Sequence, residues 1–391
     1  MTREHFTTTW NYPAQIRTGA GRIKELPEAC RSLGMQAPLL VTDPGLARLP
    51  MIDEALGACR DAGLHCTVFS DIRGNPTGKN VLDGVAAFRD GGHDGVIAFG
   101  GGSGLDAAKA VALMAGQHEA LSLWSLEDVG DNWQNADGDA IAPIVAVPTT
   151  AGTGSEVGRA AVITDEQARV KRIIFHPRMA PATVFLDPEL TLGLPPSITA
   201  ATGMDALSHC MEAWCSPNYH PMAEGIAVEG MRRIRDYLPA VFHDGQDLEA
   251  RQHMLVASMM GATAFQRGLG AMHALAHPLG ALYDAHHGTL NAILMPYVLR
   301  ANECVIGEPM VRLGRYLDLR QPGTASVIDW VLDLRERLGI PHTLAELGID
   351  AAQADKVGQM AVVDPSAASN PGDLDADQYR DLFVNALEGR L

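Results

Sequence analysis

Gly95-Val96-Ile97-Ala98-Phe99-Gly100-Gly101-Gly102-Ser103-Gly104-Leu105-Asp106-Ala107-Ala108-Lys109 is the stretch whose reading decides the fold class. It opens with a short apolar run holding two β-branched residues and an aromatic one, which predicts a buried strand. Three glycines stop the run, and a small-residue pattern at helical spacing follows. Without side chains, Gly100, Gly101 and Gly102 let a ligand approach the backbone closely. The first turn of the next helix offers unbonded N–H groups and the positive end of its dipole. The mechanism is that of a phosphate or pyrophosphate cradle. The register is not G-x-G-x-x-G, and no Lys-Ser/Thr follows at P-loop spacing.

The same texture extends on both sides. Apolar runs at 37–42, 65–69, 141–147 and 183–186 read as further strands, with helical patterns at 51–62 and 79–90 between them. Alternation of near-continuous apolar strands with helices predicts a parallel sheet covered on both faces. After about residue 190 the strand-like runs stop. Helical patterns take over at 198–214, 222–238, 248–265, 272–283, 290–301 and 326–338, with Pro195 and Pro196 at the change and Ser197 expected as a helix cap. The expected organisation is an α/β, Rossmann-like dinucleotide-binding domain over 1–190 and an all-helical domain over 191–391.

Length and charge narrow the function classes. A chain of 391 residues exceeds one comfortable core, so two domains are expected. A net charge of −17 opposes a nucleic-acid role, because phosphate binding needs a basic surface. Six scattered cysteines form no C-x-x-C pair, and buried reduced thiols are expected. Met1-Thr2-Arg3-Glu4-His5-Phe6 shows no apolar leader, and no run of about 18 apolar residues is present. A cytoplasmic location with no membrane partner is the expectation.

A second loop, Pro148-Thr149-Thr150-Ala151-Gly152-Thr153-Gly154-Ser155-Glu156, also follows a strand and presents hydroxyls where the strands' carboxyl ends should meet. Ligands of open parallel sheets bind at that edge. Asp43 closes another strand, where its carboxylate suits a ribose diol. A 2′-phosphate would be repelled, which favours NAD over NADP.

The helical half carries the histidines. Asp205 and His209 are four apart, as are His273 and His277, and that spacing stacks side chains on one helix face. His286 and His287 follow. One carboxylate and several imidazoles form a divalent metal site by donor type. Spacing alone leaves the choice among His273, His277, His286 and His287 open. His220 and His253 stand alone and read as surface or cap residues.

Together these residues resemble the iron-containing (group III) alcohol dehydrogenases. The shared pieces are Gly100 to Ser103 with Asp106 and Lys109, Pro148 to Glu156, Gly203 to His209, and His273-Ala274-Leu275-Ala276-His277-Pro278-Leu279-Gly280 leading to His287-Gly288. Asn75-Pro76-Thr77, Asp364-Pro365 and Asn370-Pro371 also match, in order, over nearly the whole chain. The resemblance implies a dehydroquinate synthase-like architecture with a metal in the cleft between the two domains. The implied metal ligands are Asp205, His209, His273 and His287, with His277 beside the nicotinamide. The implied cofactor contacts are Asp43, Asn75, Gly101, Gly102, Ser103, Asp106, Thr149, Thr150, Thr153 and Lys171. Two departures bear on the substrate. Phe265-Gln266-Arg267-Gly268-Leu269-Gly270 precedes the first histidine where many members carry an asparagine in a longer segment. Asn370-Pro371-Gly372-Asp373 lacks the arginine that often follows the proline.

The expected activity is NAD-linked interconversion of an alcohol and an aldehyde or ketone. Fe2+ is the first expectation for the Lewis acid and Zn2+ the second. His277 is the candidate proton carrier. Arg267, six residues before His273, is a candidate partner for a substrate carboxylate, which would favour a hydroxy acid or semialdehyde. A homodimer or higher homo-oligomer is implied. The rival readings are a dehydroquinate synthase-like lyase using NAD and metal, and a non-catalytic nucleotide-binding protein.

Overall fold

The computed structural model describes residues 14–168 and 170–391. Met1 to Phe6, read above for a leader, lie outside the described residues. By contact density the described chain falls into two compact units, one ending at Gly193 and one running from Leu194 to Leu391.

The first unit comprises β1 (Gln15–Thr18), α1 (Leu26–Ser32), β2 (Pro38–Val41), α2 (Pro50–Asp61), β3 (Thr67–Phe69), α3 (Gly78–Asp90), β4 (Gly95–Gly100), α4 (Gly102–Ala115), β5 (Ile144–Pro148), β6 (Ala160–Asp165), β7 (Val170–Phe175) and β8 (Thr183–Leu186). Six strands form one parallel sheet in the order β1-β8-β5-β4-β2-β3. β2, β4, β5 and β8 are buried along their whole lengths, as continuous apolar runs with helices on both faces should be. β1 and β3, at the edges, are more exposed. From β2 the chain goes one way to β3 and then crosses to β4 on the other side. The order therefore reverses between β2 and β4, which is where doubly wound sheets bind ligands. Leu40, Ile97, Phe99, Val145, Val147 and Phe185 pack the core with Leu26 and Ile52 from α1 and α2.

Four of the expected strands lie within a few residues of their predicted positions, and β4 gains Gly100. Two features escaped the pattern. β1 is too short to show a period, and its side chains are only half-buried. β6 and β7 form a separate antiparallel hairpin whose sequences mix polar and apolar residues.

The second unit is helical: α5 (Pro196–Cys215), α6 (Pro221–His243), α7 (Leu248–Ala264), α8 (Ala271–Tyr283), α9 (His287–Ala301), α10 (Glu303–Tyr316), α11 (Thr324–Arg337), α12 (Ala354–Val362) and α13 (Ala376–Glu388). α5 runs through its centre, with every residue from Thr199 to Trp214 buried. Its apolar residues pack in the core against α6, α7 and α9, and the polar residues Asp205, His209 and Glu212 are buried along with them. Its N-cap is Pro195, with Pro196 in the first turn, so Ser197 does not cap it as expected. Proline's fixed φ suits the first turn, and its missing N–H is one that would have no helical partner anyway. His220 caps α6, its Nδ1 accepting from Ala223 N, as expected of a cap residue. His253 stacks on Tyr237 with ring centroids 3.8 Å apart.

Candidate metal centre

Asp205 and His209 project from α5, His273 and His277 from α8, and His287 from the first position of α9. Asp205, His273 and His287 converge, with one ligand atom from each all within 4.8 Å of one another. His287 Nε2 is 3.6 Å from Asp205 Oδ1. The His209 ring stacks on the His273 ring at 4.9 Å and 19°. His209 Nδ1 is buried and makes no hydrogen bond. His209 is outside that converging set, but an orphaned buried nitrogen on a ring stacked against His273 fits a nearby cation, since buried polar atoms are otherwise satisfied. His286 remains exposed at the end of α9 and is not part of the cluster.

Two residues that the sequence reading missed organise this centre. Asn291, one turn after His287 on α9, is fully buried. Its Nδ2 lies 2.9 Å from Asp205 Oδ1 and 3.2 Å from the Nε2 atoms of both His273 and His287. One amide donor facing three acceptors shows that the lone pairs of all three residues point to one place. Glu212, on α5, is the second. Its Oε2 lies 2.6 Å from His273 Nδ1, and its Oε1 accepts from Met272 N at 2.7 Å. With the proton on Nδ1, His273 presents a bare Nε2 to the cluster. Asp205-x-x-x-His209-x-x-Glu212 follows one helix face, and that spacing was a usable signal for Glu212.

The electrostatics match this layout. Burial opposes ionisation of Asp205, but the imidazoles of His209, His287 and His273 outweigh it and hold the carboxyl at about 2. Burial pushes His273 well below the usual imidazole value, and the neighbouring His209 adds to that, which favours the neutral ring a metal would need. Burial raises Glu212 to about 7, against the backbone N–H groups of Met272 and Gly270.

His277 sits beside the cluster, its ring parallel to that of His287 at 5.6 Å. Its Nδ1 pairs with Asp364 Oδ2 at 2.8 Å, and Asp364 Oδ1 accepts from Ser366 N. Asn370 Oδ1 accepts from Ala271 N, so the 364–370 segment holds the start of α8 as well as His277.

In the first unit, Asp43, Gly101 to Ser103 and Thr149 to Thr153 follow the carboxyl ends of three adjacent strands, β2, β4 and β5, while Asn75 lies in the loop after β3 and Lys171 on β7. Thr149 N donates to Gly100 O at 2.9 Å, which ties the two loops together. A Cβ on Gly102 would lie 2.6 Å from Thr153 Cγ2, so the close approach of the loops requires glycine there. Ser103 Oγ donates to Gly74 O, and Lys171 Nζ donates to Asn75 Oδ1 at 2.9 Å. Asp43 Oδ1 accepts from Gly45 N and Leu46 N, so it builds its own turn at the end of β2.

Two expected roles are corrected. Asp106 does not offer a free carboxylate: it accepts from Ser155 Oγ at 2.5 Å and Val162 N at 2.9 Å and pairs with Lys109 at 3.2 Å. It braces the second loop against α4. Arg267 is not free for a substrate carboxylate. Its Nη1 donates to Ala213 O and Trp214 O, its Nε to Asn218 O, and its Nη2 pairs with Glu224 at 3.0 Å. The guanidinium closes the carboxyl end of α5, where carbonyls lack helical partners and attract cations.

The sheet edge marks a nucleotide-binding α/β unit, and the acid–imidazole cluster marks a divalent-metal unit. The family model for iron-containing alcohol dehydrogenase matches residues 13–188, and that for the C-terminal part of the Fe-containing alcohol dehydrogenase family matches 199–387. The chain is 40% identical to 4-hydroxybutyrate dehydrogenase of Cupriavidus necator over 386 residues, 96% of this chain and 99% of that one. It is 36% identical to 1,3-propanediol dehydrogenase of Citrobacter freundii, covering 94% and 96%. A solved 1,3-propanediol oxidoreductase superposes with a TM-score of 0.92 at 34% identity, covering 97% of this chain and all of that one. A sulfoacetaldehyde reductase from Bifidobacterium kashiwanohense, solved with NAD+, gives a TM-score of 0.87 at 27% identity, covering 97% and 99%.

The chain belongs to the iron-containing alcohol dehydrogenase family. It is an NAD-linked oxidoreductase of the alcohol dehydrogenase class, and the family implies a metal and NAD(H). Among the described residues no helix is long and apolar enough to cross a membrane.

Proposed function

We propose that the chain interconverts a short primary alcohol bearing a second oxygen function at its far end with the matching aldehyde, using NAD. The metal is Fe2+ in first place and Zn2+ in second, held by Asp205, His209, His273 and His287. The observation that carries this reading is the convergence of the Asp205, His273 and His287 donor atoms. An all-nitrogen-and-oxygen donor set suits both ions. Two relatives, named for 4-hydroxybutyrate and 1,3-propanediol, share the bifunctional short chain.

A divalent ion supplies Lewis acidity toward an alcohol or carbonyl oxygen, and nicotinamide exchanges the hydride. The protein's part is placement and proton handling. Asp205 and the Nε2 atoms of His273 and His287 bind the ion, with Glu212 orienting His273 through Nδ1 and Asn291 donating to Asp205. His277 carries the proton at Nε2, with Nδ1 anchored to Asp364. The first domain, to about residue 190, binds NAD through Asn75, Gly101, Gly102, Ser103, Thr149, Thr150, Thr153 and Lys171. Asp43 faces the ribose, and Asp106 braces this surface from behind. The second domain, from about 191, carries the metal. A cytoplasmic homodimer or higher homo-oligomer completes the reading, and light scattering of the purified chain measures its mass.

The test is a panel of 4-hydroxybutyrate, 1,3-propanediol and butan-1-ol with NAD, on iron- and zinc-loaded protein. NADH should accumulate fastest with the two bifunctional alcohols. Failure of all three to produce NADH at full metal occupancy would overturn the reading. A lyase that uses NAD would leave no net NADH.

A further inference from the structure

Glu212 is buried, and among the described residues its one ion-pair partner is His273. Among the described residues no lysine or arginine forms an ion pair with it. A buried carboxylate without a cation is costly unless donors and nearby positive charge compensate. Backbone N–H groups at the start of α8 supply part of that compensation, through Met272 N on Oε1. His273 Nδ1 adds a side-chain donor, at 2.6 Å from Oε2. The opposite nitrogen of the same ring faces Asp205 and His287. The carboxylate, the ring and the candidate metal position therefore lie in one line of contact, from α5 through α8.

We infer that Glu212 is a positioning residue for His273: its carboxylate holds the Nδ1 proton, turns a bare Nε2 toward the ion, and raises the affinity of the centre for a divalent metal. The inference rests on the metal reading above. Carboxylates that accept from the far nitrogen of a ligating histidine fix its tautomer and make it a more basic donor. The i, i+4, i+7 relation of Asp205, His209 and Glu212 places two ligands and this support on the same rigid helix, so α5 sets the geometry of His273 as well as its own.

The competing role is mechanical. Glu212 also caps α8, and Asn370 does the same through Ala271 N at 3.2 Å without hydrogen bonding to the imidazole. E212Q separates the two roles. Its amide oxygen can still accept from Met272 N, but the negative charge on the ring is gone. N370A removes a cap and leaves the carboxylate–imidazole pair intact. The full chain is stripped of metal, and zinc affinity is measured by competition with a chromogenic chelator. The rate of zinc loss from loaded protein to excess chelator is followed as well. The imidazole N–H region of the proton NMR spectrum and the thermal midpoint are recorded on the metal-free proteins.

E212Q should weaken zinc binding by about 10–100-fold and speed zinc loss correspondingly. It should also remove a far-downfield Nδ1 proton present in the metal-free wild type. N370A should lower the thermal midpoint, keep that proton, and hold zinc more tightly than E212Q does. Wild-type zinc affinity in E212Q overturns the inference. So does a loss of affinity in both variants that simply follows their loss of stability. If the wild-type chain binds no zinc or iron yet shows the downfield proton, the metal reading itself has failed while the Glu212–His273 pair stands.

Discussion

Substituting alanine for Gly288 should damage the metal centre without touching a ligand. Gly288 is the second residue of α9, directly after His287. A Cβ there would lie 2.2 Å from Ala201 O, 2.9 Å from Ala201 C and 3.1 Å from Asp205 Cβ, all on α5. The nearest clash is with backbone, so no side chain can swing away to relieve it. To stretch 2.2 Å to the 3.4 Å at which ordinary contact begins, the start of α9 must retreat by about 1.2 Å. His287 Nε2, now 3.6 Å from Asp205 Oδ1, moves with it. Overpacking of this kind costs about 1–3 kcal/mol, and for a unit of this size each kcal/mol lowers the thermal midpoint by about 2–4 °C. A misplacement of about 1 Å at a reacting centre costs on the order of 100-fold in rate. The assays are metal content after dialysis against a weak chelator, kcat/KM for alcohol oxidation with NAD, and the thermal midpoint of the metal-free protein. Gly288→Ala should retain less metal, and at forced metal saturation it should still be slow. Wild-type metal content together with wild-type turnover would refute the argument that α5 and α9 must touch at Gly288 to close the site.

Three further outcomes are expected. Asp205→Ala or His273→Ala should abolish alcohol oxidation and lower bound iron or zinc; wild-type turnover in the metal-depleted variant would remove these residues from the ligand set. Asp43→Asn keeps an oxygen that can accept from Gly45 N and Leu46 N while removing the charge, so the ratio of NADP to NAD use should rise; an unchanged ratio takes Asp43 away from the ribose. Arg267→Ala should cost about 1–3 kcal/mol in a denaturant titration, because it strips a part-buried charge-assisted set of hydrogen bonds from the end of α5. Its preference between 4-hydroxybutyrate and butan-1-ol should stay as in the wild type, and a selective loss of the hydroxy acid would restore Arg267 as a carboxylate receptor.

Much of the architecture was readable along the chain because the cues were local. The apolar runs at β2, β4, β5 and β8 are each buried on both sides, so their composition announces them without any partner in view. The glycines after β4 and the change to helical texture near residue 190 are equally local. β6 and β7 were missed for the opposite reason. They form a separate, partly exposed two-stranded hairpin, and their sequences carry no strong period.

The candidate centre divides along the same line. Sequence alone determined the chemical inventory: one aspartate and a set of histidines on helices, with a helical repeat that puts Asp205 with His209 and His273 with His277. It could not say which imidazoles meet, because that depends on how closely α5, α8 and α9 pack. Gly288 brings His287 to Asp205, and His286 is left in solvent. Only the tertiary structure showed that Asn291 meets the candidate ligands Asp205, His273 and His287, that Glu212 pairs with His273, that Asp106 is a brace, and that Arg267 caps a helix. Each of these roles includes a hydrogen bond between residues 49 to 86 positions apart. No local pattern encodes such a bond; the packing that buries both partners and excludes competing water decides it.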